Sequence, residues 1–257
     1  MTPFVDELIQ LKREGAAAVL ATVIEVRGGG GARAGEKCLI RDGVVKESTI
    51  QQEALAKAIA REAEKCLRAE RSQMIAVRIP ETESEIDVFF EVLPSPPKLL
   101  VVGAGHIAVP LVRLAKILDY HVTVLDDRVL FANRERFPDA DEILVGDMAA
   151  TLKGIPITPS TYIVLITRGH KYDEPCLRET IHSEAKYIGM IGSKRRIKAC
   201  FHRFREEEKI AEEVIEKVHA PIGLDINAET PEEIALCILA EIIKVRRGGA
   251  AQSLSGH

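Results

Sequence analysis

Residues 99–108 read Leu99-Leu100-Val101-Val102-Gly103-Ala104-Gly105-His106-Ile107-Ala108. An apolar run suited to a buried strand leads into Gly-x-Gly-x-x-Ala and then into helical periodicity from Ile107 to Leu118. Each small residue has its own reason in such a strand–turn–helix. Gly103 permits the tight turn, Gly105 leaves the backbone bare for a pyrophosphate, and Ala108 lets the helix pack closely on the strand. The N–H groups at the helix start, from His106 onward, then face the phosphates. The next strand, His121–Leu125, ends in Asp126-Asp127-Arg128, about 20 residues on, where an acid bonds a ribose 2′-hydroxyl. Asp126 is the expected ribose acceptor and favours NAD. Arg128 beside it leaves a 2′-phosphate, and so NADP, open.

Outward from this stretch, strands and helices alternate. Strands are expected at Leu99–Val102, His121–Leu125, Glu142–Val145, Tyr162–Thr167, Tyr187–Ile191 and Lys217–Ala220. Helices are expected at Ile107–Leu118, Glu174–Ser183, Lys194–Glu208 and Glu232–Val245. Short apolar strands between helices imply a parallel sheet covered on both faces. The usual strand order, 3-2-1-4-5-6, sets the first and fourth strands side by side. The reading is α/β: a C-terminal Rossmann-type doubly wound parallel sheet over residues 98–247, with a disordered tail at 248–257. Before it lies a linker, Pro94-Ser95-Pro96-Pro97, whose prolines lack the donors that helices and strands need.

Residues 1–93 read as a smaller α/β domain. A helix opening at Thr2 or Pro3 carries Phe4, Val5, Leu8, Ile9 and Leu11 and stops at Gly15. Strands follow at Ala18–Val26 and Lys37–Ile40, separated by the loop Gly28–Gly31, with a hairpin turn at Asp42-Gly43. A helix at Gln51–Ala69 and strands at Met74–Ile79 and Ile86–Leu93 complete the domain. The Gly28–Gly31 loop, flanked by Arg27 and Arg33, reads as a flexible hairpin or as a backbone cradle for an anion.

Composition narrows the function. Of 257 residues, 46% are hydrophobic and 29% charged, which suits a soluble protein with a real core. A net charge of −4 argues against nucleic acid as the partner. No apolar stretch approaches the roughly 20 residues of a membrane span, and Met1–Gln10 lacks the features of a signal peptide. The five scattered cysteines form no Cys-x-x-Cys, so neither a disulfide framework nor a metal knuckle is expected, and a cytoplasmic location follows.

Three further stretches carry polar chemistry. After the fourth strand of the C-terminal domain come Thr167-Arg168-Gly169-His170 and then Asp173. His170 and His106 would face one crevice there and are the candidates for catalysis, with Thr167 and His170 also candidate ligand contacts. After the fifth strand, Gly192-Ser193-Lys194-Arg195-Arg196 opens a helix with Ser193 as cap. Basic residues in a first turn oppose the helix dipole, and an anion bound near Gly192, Ser193 and Lys194 would explain them. After the sixth, His219-Ala220-Pro221-Ile222-Gly223-Leu224-Asp225 precedes Thr230-Pro231-Glu232-Glu233, a capping box. Asp225 is that loop's candidate contact.

With these motifs in view, the chain resembles the xanthine dehydrogenase accessory protein family, the XdhC/CoxI family. The likeness is most specific in LLVVGAGHIAVPLVRLA, VTVLDDR, ITRGH, YIGMIGSKRR and HAPIGLDINAETPEEIALCILAEI. It implies a cytoplasmic chaperone, rather than an enzyme, that binds the molybdenum cofactor (molybdopterin). Such a chaperone protects the cofactor while a terminal sulfur is installed and passes it to a molybdenum hydroxylase. A cysteine desulfurase is then a further partner, and a homo-oligomer is expected. The N-terminal half shares Ala21–Gly28 and Ala34–Ile40 with the family. It departs where the family has Gly-Ser-Ser-Pro, here Gly28–Gly31, and where the family has a glycine-rich turn, here Ser48–Glu53 with Gln51, Gln52 and Glu53. Two other readings compete: an NAD(P)-dependent oxidoreductase using His170 or His106, and a nucleotide-sensing regulator.

Overall fold

In a computed structural model of the protein, the described residues are 3–14, 16–27, 32–78 and 85–255, with the side chains of 3, 12–14 and 170 outside the description. Gly15 and the Gly28–Gly31 loop therefore lie outside the described residues. The chain divides into two units, Met1–Pro96 and Pro97–His257.

The first unit contains α1 (Pro3–Glu14), β1 (Ala18–Arg27), β2 (Lys37–Arg41), β3 (Val44–Ser48), α2 (Glu53–Arg68), β4 (Gln73–Arg78) and β5 (Glu85–Leu93). Its strands lie in the order β3-β2-β1-β5-β4, all pairs antiparallel. Asp42 and Gly43 both have positive φ, 51° and 71°, as the tight turn joining β2 to β3 requires. Inward residues alternate along β5 as Ile86, Val88 and Phe90. They meet the helical stripe Leu55, Ile59, Ala63 and Cys66 of α2 in one core. A second cluster joins Leu11, Phe4 and Leu8 to Ala18 and Leu39, whereas Val5 and Ile9 of the same helix are exposed.

The second unit contains β6 (Lys98–Val102), α3 (Ala108–Ile117), β7 (His121–Asp126), β8 (Glu142–Val145), α4 (Met148–Leu152), β9 (Thr161–Leu165), α5 (His170–Thr180), β10 (Tyr187–Met190), α6 (Lys194–Glu206), α7 (Glu212–Ile215), β11 (Val218–His219) and α8 (Pro231–Arg247). The sheet order is β11-β10-β9-β6-β7-β8, all parallel. This is the expected order read from the opposite edge. Leu99, Val101, Val122 and Val124 face α3 and α8, while Leu100, Val102, Leu125 and Leu165 face the layer of α4, α5 and α6. Successive residues point to opposite covered faces, which is why the strands are apolar throughout.

Some boundaries depart from expectation. Helix α5 begins at His170, not Glu174, and carries Pro175 inside it. The N–H groups of Tyr172 and Asp173 both bond the Gly169 carbonyl, so the first turn closes before the proline's missing donor is felt. Helix α8 runs to Arg247 and ends on Gly248 at φ 70°. The short α4, capped by Asp147 accepting from the Ala150 N–H, carries too few residues for its periodicity to be read. Residues 249–253 form neither helix nor strand. Among the described residues no helix is long and apolar enough to cross a membrane.

Candidate nucleotide site

The loop after β6 and the loop after β9 approach closely, because β6 and β9 are neighbours at which the chain's crossovers diverge. Gly103 sits at φ +107°, and a Cβ there would lie 2.5 Å from the Ile166 carbonyl oxygen and 2.9 Å from Thr167 Cα. Only glycine fits. Gly105 differs: a Cβ there would meet nothing within 4 Å. Its bare backbone faces open space, as a loop that admits a ligand requires. Ala108, the first residue of α3, is fully buried. The helix begins without a side-chain cap, since Ile107 holds the N-cap position and has no polar atom to offer. His106, beside it, is exposed.

Asp126 closes the loop from below. Its Oδ2 accepts from the Ala104 N–H (2.8 Å) and from Arg128 Nη2 (2.8 Å). Its Oδ1 accepts from the Arg128 N–H (3.0 Å) and from Arg128 Nε (2.8 Å). The side chain is 1% exposed. Burial pushes its carboxyl up, but the Arg128 guanidinium and the two backbone donors outweigh this and hold it at about 2. The sequence pattern points Asp126 at a ribose hydroxyl. In the structure both of its oxygens are engaged from within the loop.

The rim above is built of arginines on aromatic rings. The Arg128 guanidinium stacks 3.7 Å from the centre of the Phe131 ring. Arg168 stacks 3.8 Å from Tyr172 and forms a two-point pair with Asp127, at 2.6 and 2.8 Å. Arg136 lies 4.9 Å from Phe131 and donates to the carbonyls of Ala104 (2.7 Å) and Phe131 (3.0 Å). Motif reasoning passes over Asp127, Arg136 and the role of Arg168. The spacings Arg128-x-x-Phe131 and Arg168-x-x-x-Tyr172 are the signal that could have found the stacked pairs.

The remaining candidates are distributed along the same sheet edge. Thr167 donates its hydroxyl to Asp173 Oδ1 at 2.6 Å, so it is tied to the fold. Asp173 is buried, which pushes its carboxyl up against the opposing bond from Thr167. His170 opens α5, and its side chain lies outside the described residues. Ser193 caps α6 by accepting from the Arg196 N–H, as its sequence position predicts. Lys194 and Arg195 are exposed, and Gly192 packs against Ile197. They follow β10, two strands from β6, roughly 10 Å across the sheet. Asp225 is exposed beyond β11, one strand further. Its loop is anchored by Glu241, which accepts from Tyr187 Oη (2.5 Å) and the Gly223 N–H (2.9 Å) and lies 3.6 Å from His219 Nδ1. The structure therefore gathers Gly103, Gly105, Ala108, Asp126, Arg128 and Thr167 at the carboxyl ends of the adjacent strands β6, β7 and β9, and leaves Gly192, Ser193, Lys194 and Asp225 toward the far edge.

A glycine loop, an uncapped helix start and a basic rim at a switch point define a Rossmann-type nucleotide-site architecture. Comparison with known proteins makes this particular. The model of the XdhC Rossmann domain matches residues 99–242, and that of the XdhC and CoxI family matches residues 11–79. The chain belongs to the XdhC and CoxI family. It is 32% identical over 162 residues to the uncharacterized protein YqeB of Escherichia coli, covering 63% of this chain and 29% of that one. It is 28% identical over 171 residues to a probable xanthine dehydrogenase subunit of Bacillus subtilis, covering 66% and 49%. The chain thus spans less than half the length of either relative. A crystal structure described as a xanthine dehydrogenase from Bacillus halodurans shares the fold, with a TM-score of 0.54, 19% identity and 98% of each chain covered.

Proposed function

We propose that this chain is an accessory factor for a molybdenum hydroxylase of the xanthine dehydrogenase type, and that its C-terminal domain holds a nucleotide-bearing cofactor over the Gly103–Gly105 loop. Family membership and the Bacillus subtilis relative, with its probable place in a xanthine dehydrogenase, support the accessory role. The observation that carries the nucleotide site is Gly105: in a loop packed so tightly that Gly103 admits no Cβ, the next glycine opens onto free space. The α3 N–H groups would hold the pyrophosphate.

Among the described residues of the N-terminal unit, the groove beside α2 fits a pterin phosphate poorly. Its groove, about 620 Å³, is lined by Gln51, Glu53, Lys57, Arg61 and Glu64 among others. Its cations are matched by its acids, and Glu53 pairs with Lys57 at 2.5 Å. Glu53 is exposed, so it weakens the site by cancelling charge and not by buried repulsion.

The test has two arms. Disrupting the gene should lower the activity and the cyanide-labile sulfur of the host's molybdenum hydroxylase while leaving its polypeptide in place. Calorimetry on the purified chain with NAD, NADP, ADP and a molybdopterin dinucleotide should show binding to at least one of them. A fully active hydroxylase in the disrupted strain would refute the accessory role, and no binding in any titration would refute the nucleotide site.

A further inference from the structure

A nucleotide held on the glycine loop would bring its ribose toward the end of β7, where cationic side chains gather. A carboxylate offers about four lone-pair directions. All four on Asp126 are taken, by the Ala104 N–H, the Arg128 N–H, Arg128 Nε and Arg128 Nη2. A ribose 2′-hydroxyl arriving there finds no free lone pair on Asp126 unless Arg128 is first displaced from it.

The donors, by contrast, are in surplus. Arg128 directs two of its five side-chain N–H groups at Asp126 and keeps the rest. Arg168 is fixed by Asp127 along one edge and by Tyr172 under its face, and remains one-third exposed. Arg128 Nε also lies 3.8 Å from Asp127 Oδ1, so the two arginines share one acid and form a continuous cluster. Arg136 joins them over the Phe131 ring, and among the described residues it has no carboxylate partner. Three guanidiniums face two carboxylates. Each is held in place by a ring or a carboxylate, so little side-chain freedom is lost when an anion docks.

We propose that Arg128 and Arg168 form a receptor for a phosphate monoester on the 2′ position of an adenine nucleotide, so that the site selects the 2′-phosphorylated form over the plain ribose. This rests on the nucleotide site proposed above and names its specificity. The planar guanidinium forks match phosphate oxygens, and charge-assisted bonds of this kind are the strong class.

The experiment is calorimetry on the full chain with NADP, NAD, 2′,5′-ADP and 5′-ADP, at two salt concentrations. The expected result is a preference of about 10- to 100-fold for the 2′-phosphorylated member of each pair, weakening as salt rises. Arg168→Gln should remove most of the preference while leaving 5′-ADP affinity within about threefold; its ion pair is exposed, so the fold is spared. Arg128→Gln should act in the same direction, with circular dichroism confirming the fold. NAD binding as tightly as NADP, or a preference unchanged in Arg168→Gln, would overturn the 2′-phosphate receptor and leave the nucleotide site standing. Absence of binding in all four titrations would overturn both.

Discussion

Gly103→Ala and Gly105→Val, two substitutions in one loop, should separate folding from binding. At Gly103 the backbone has φ +107°, and a new Cβ would lie 2.5 Å from the Ile166 oxygen, 2.7 Å from its carbonyl carbon and 2.9 Å from Thr167 Cα. These are backbone atoms just past the end of β9, and they cannot rotate away. Strain from the positive φ costs about 1–3 kcal/mol, and overpacking costs about 1–3 kcal/mol more. The sum, about 2–6 kcal/mol, is a large part of the roughly 5–15 kcal/mol that holds a domain folded. At about 2–4 °C per kcal/mol, Tm should fall by roughly 5–20 °C. At Gly105 no atom lies within 4 Å of the added Cβ, so Gly105→Val should melt close to the parent. Its side chain fills the space assigned to the pyrophosphate, so nucleotide binding should be lost. Differential scanning calorimetry and titration calorimetry on the three proteins decide the matter. If Gly103→Ala melts within about 2 °C of the parent, the steric reasoning fails. If Gly105→Val binds as the parent does, the open space is not the ligand's.

Asp126→Ala should destabilise the second unit by about 2–4 kcal/mol in urea unfolding, because it strands the buried Ala104 N–H and leaves Arg128 only its longer contact with Asp127; a loss confined to ligand affinity would contradict this. The same carboxyl is held at about 2 against an ordinary 3.8, so its contribution is fully present above 3.8 and is lost as pH falls through 2, which acid titration of the parent and of Asp126→Asn should show. Glu241→Leu should cost about 2–4 kcal/mol, against about 1 kcal/mol for Tyr187→Phe, since the former orphans both the Tyr187 hydroxyl and the Gly223 N–H; equal losses would show that the Gly223 bond contributes nothing. Burial pushes the thiols of Cys38, Cys176 and Cys200 up to about 11, 12 and 12, so iodoacetamide at about pH 8 should label none of them before unfolding; rapid native labelling of any would refute the burial argument.

The sheet order was legible because it follows from local facts: short apolar strands, helices between them, and a glycine turn after the first. Ser193 and the Thr230–Glu233 box were legible for the same reason, since a cap is a matter of spacing within one turn. The internal bonding of Asp126 was not. That Asp126 stands at the end of a strand can be read from the sequence, but whether its oxygens are free depends on where a guanidinium two residues later folds back, and on Arg136 reaching 32 residues to the Ala104 carbonyl. Periodicity carries no information about such pairings, because charged side chains on loops obey no period. What the sequence does hold is the chemistry of the partners: an arginine three or four residues before an aromatic ring, twice, on the two loops that a 3-2-1-4-5-6 order must bring to either side of the glycine turn. Read together with the topology, those pairs locate a cationic rim before any coordinate is known, and it is the rim, more than the acid, on which the proposed selection of a 2′-phosphate rests.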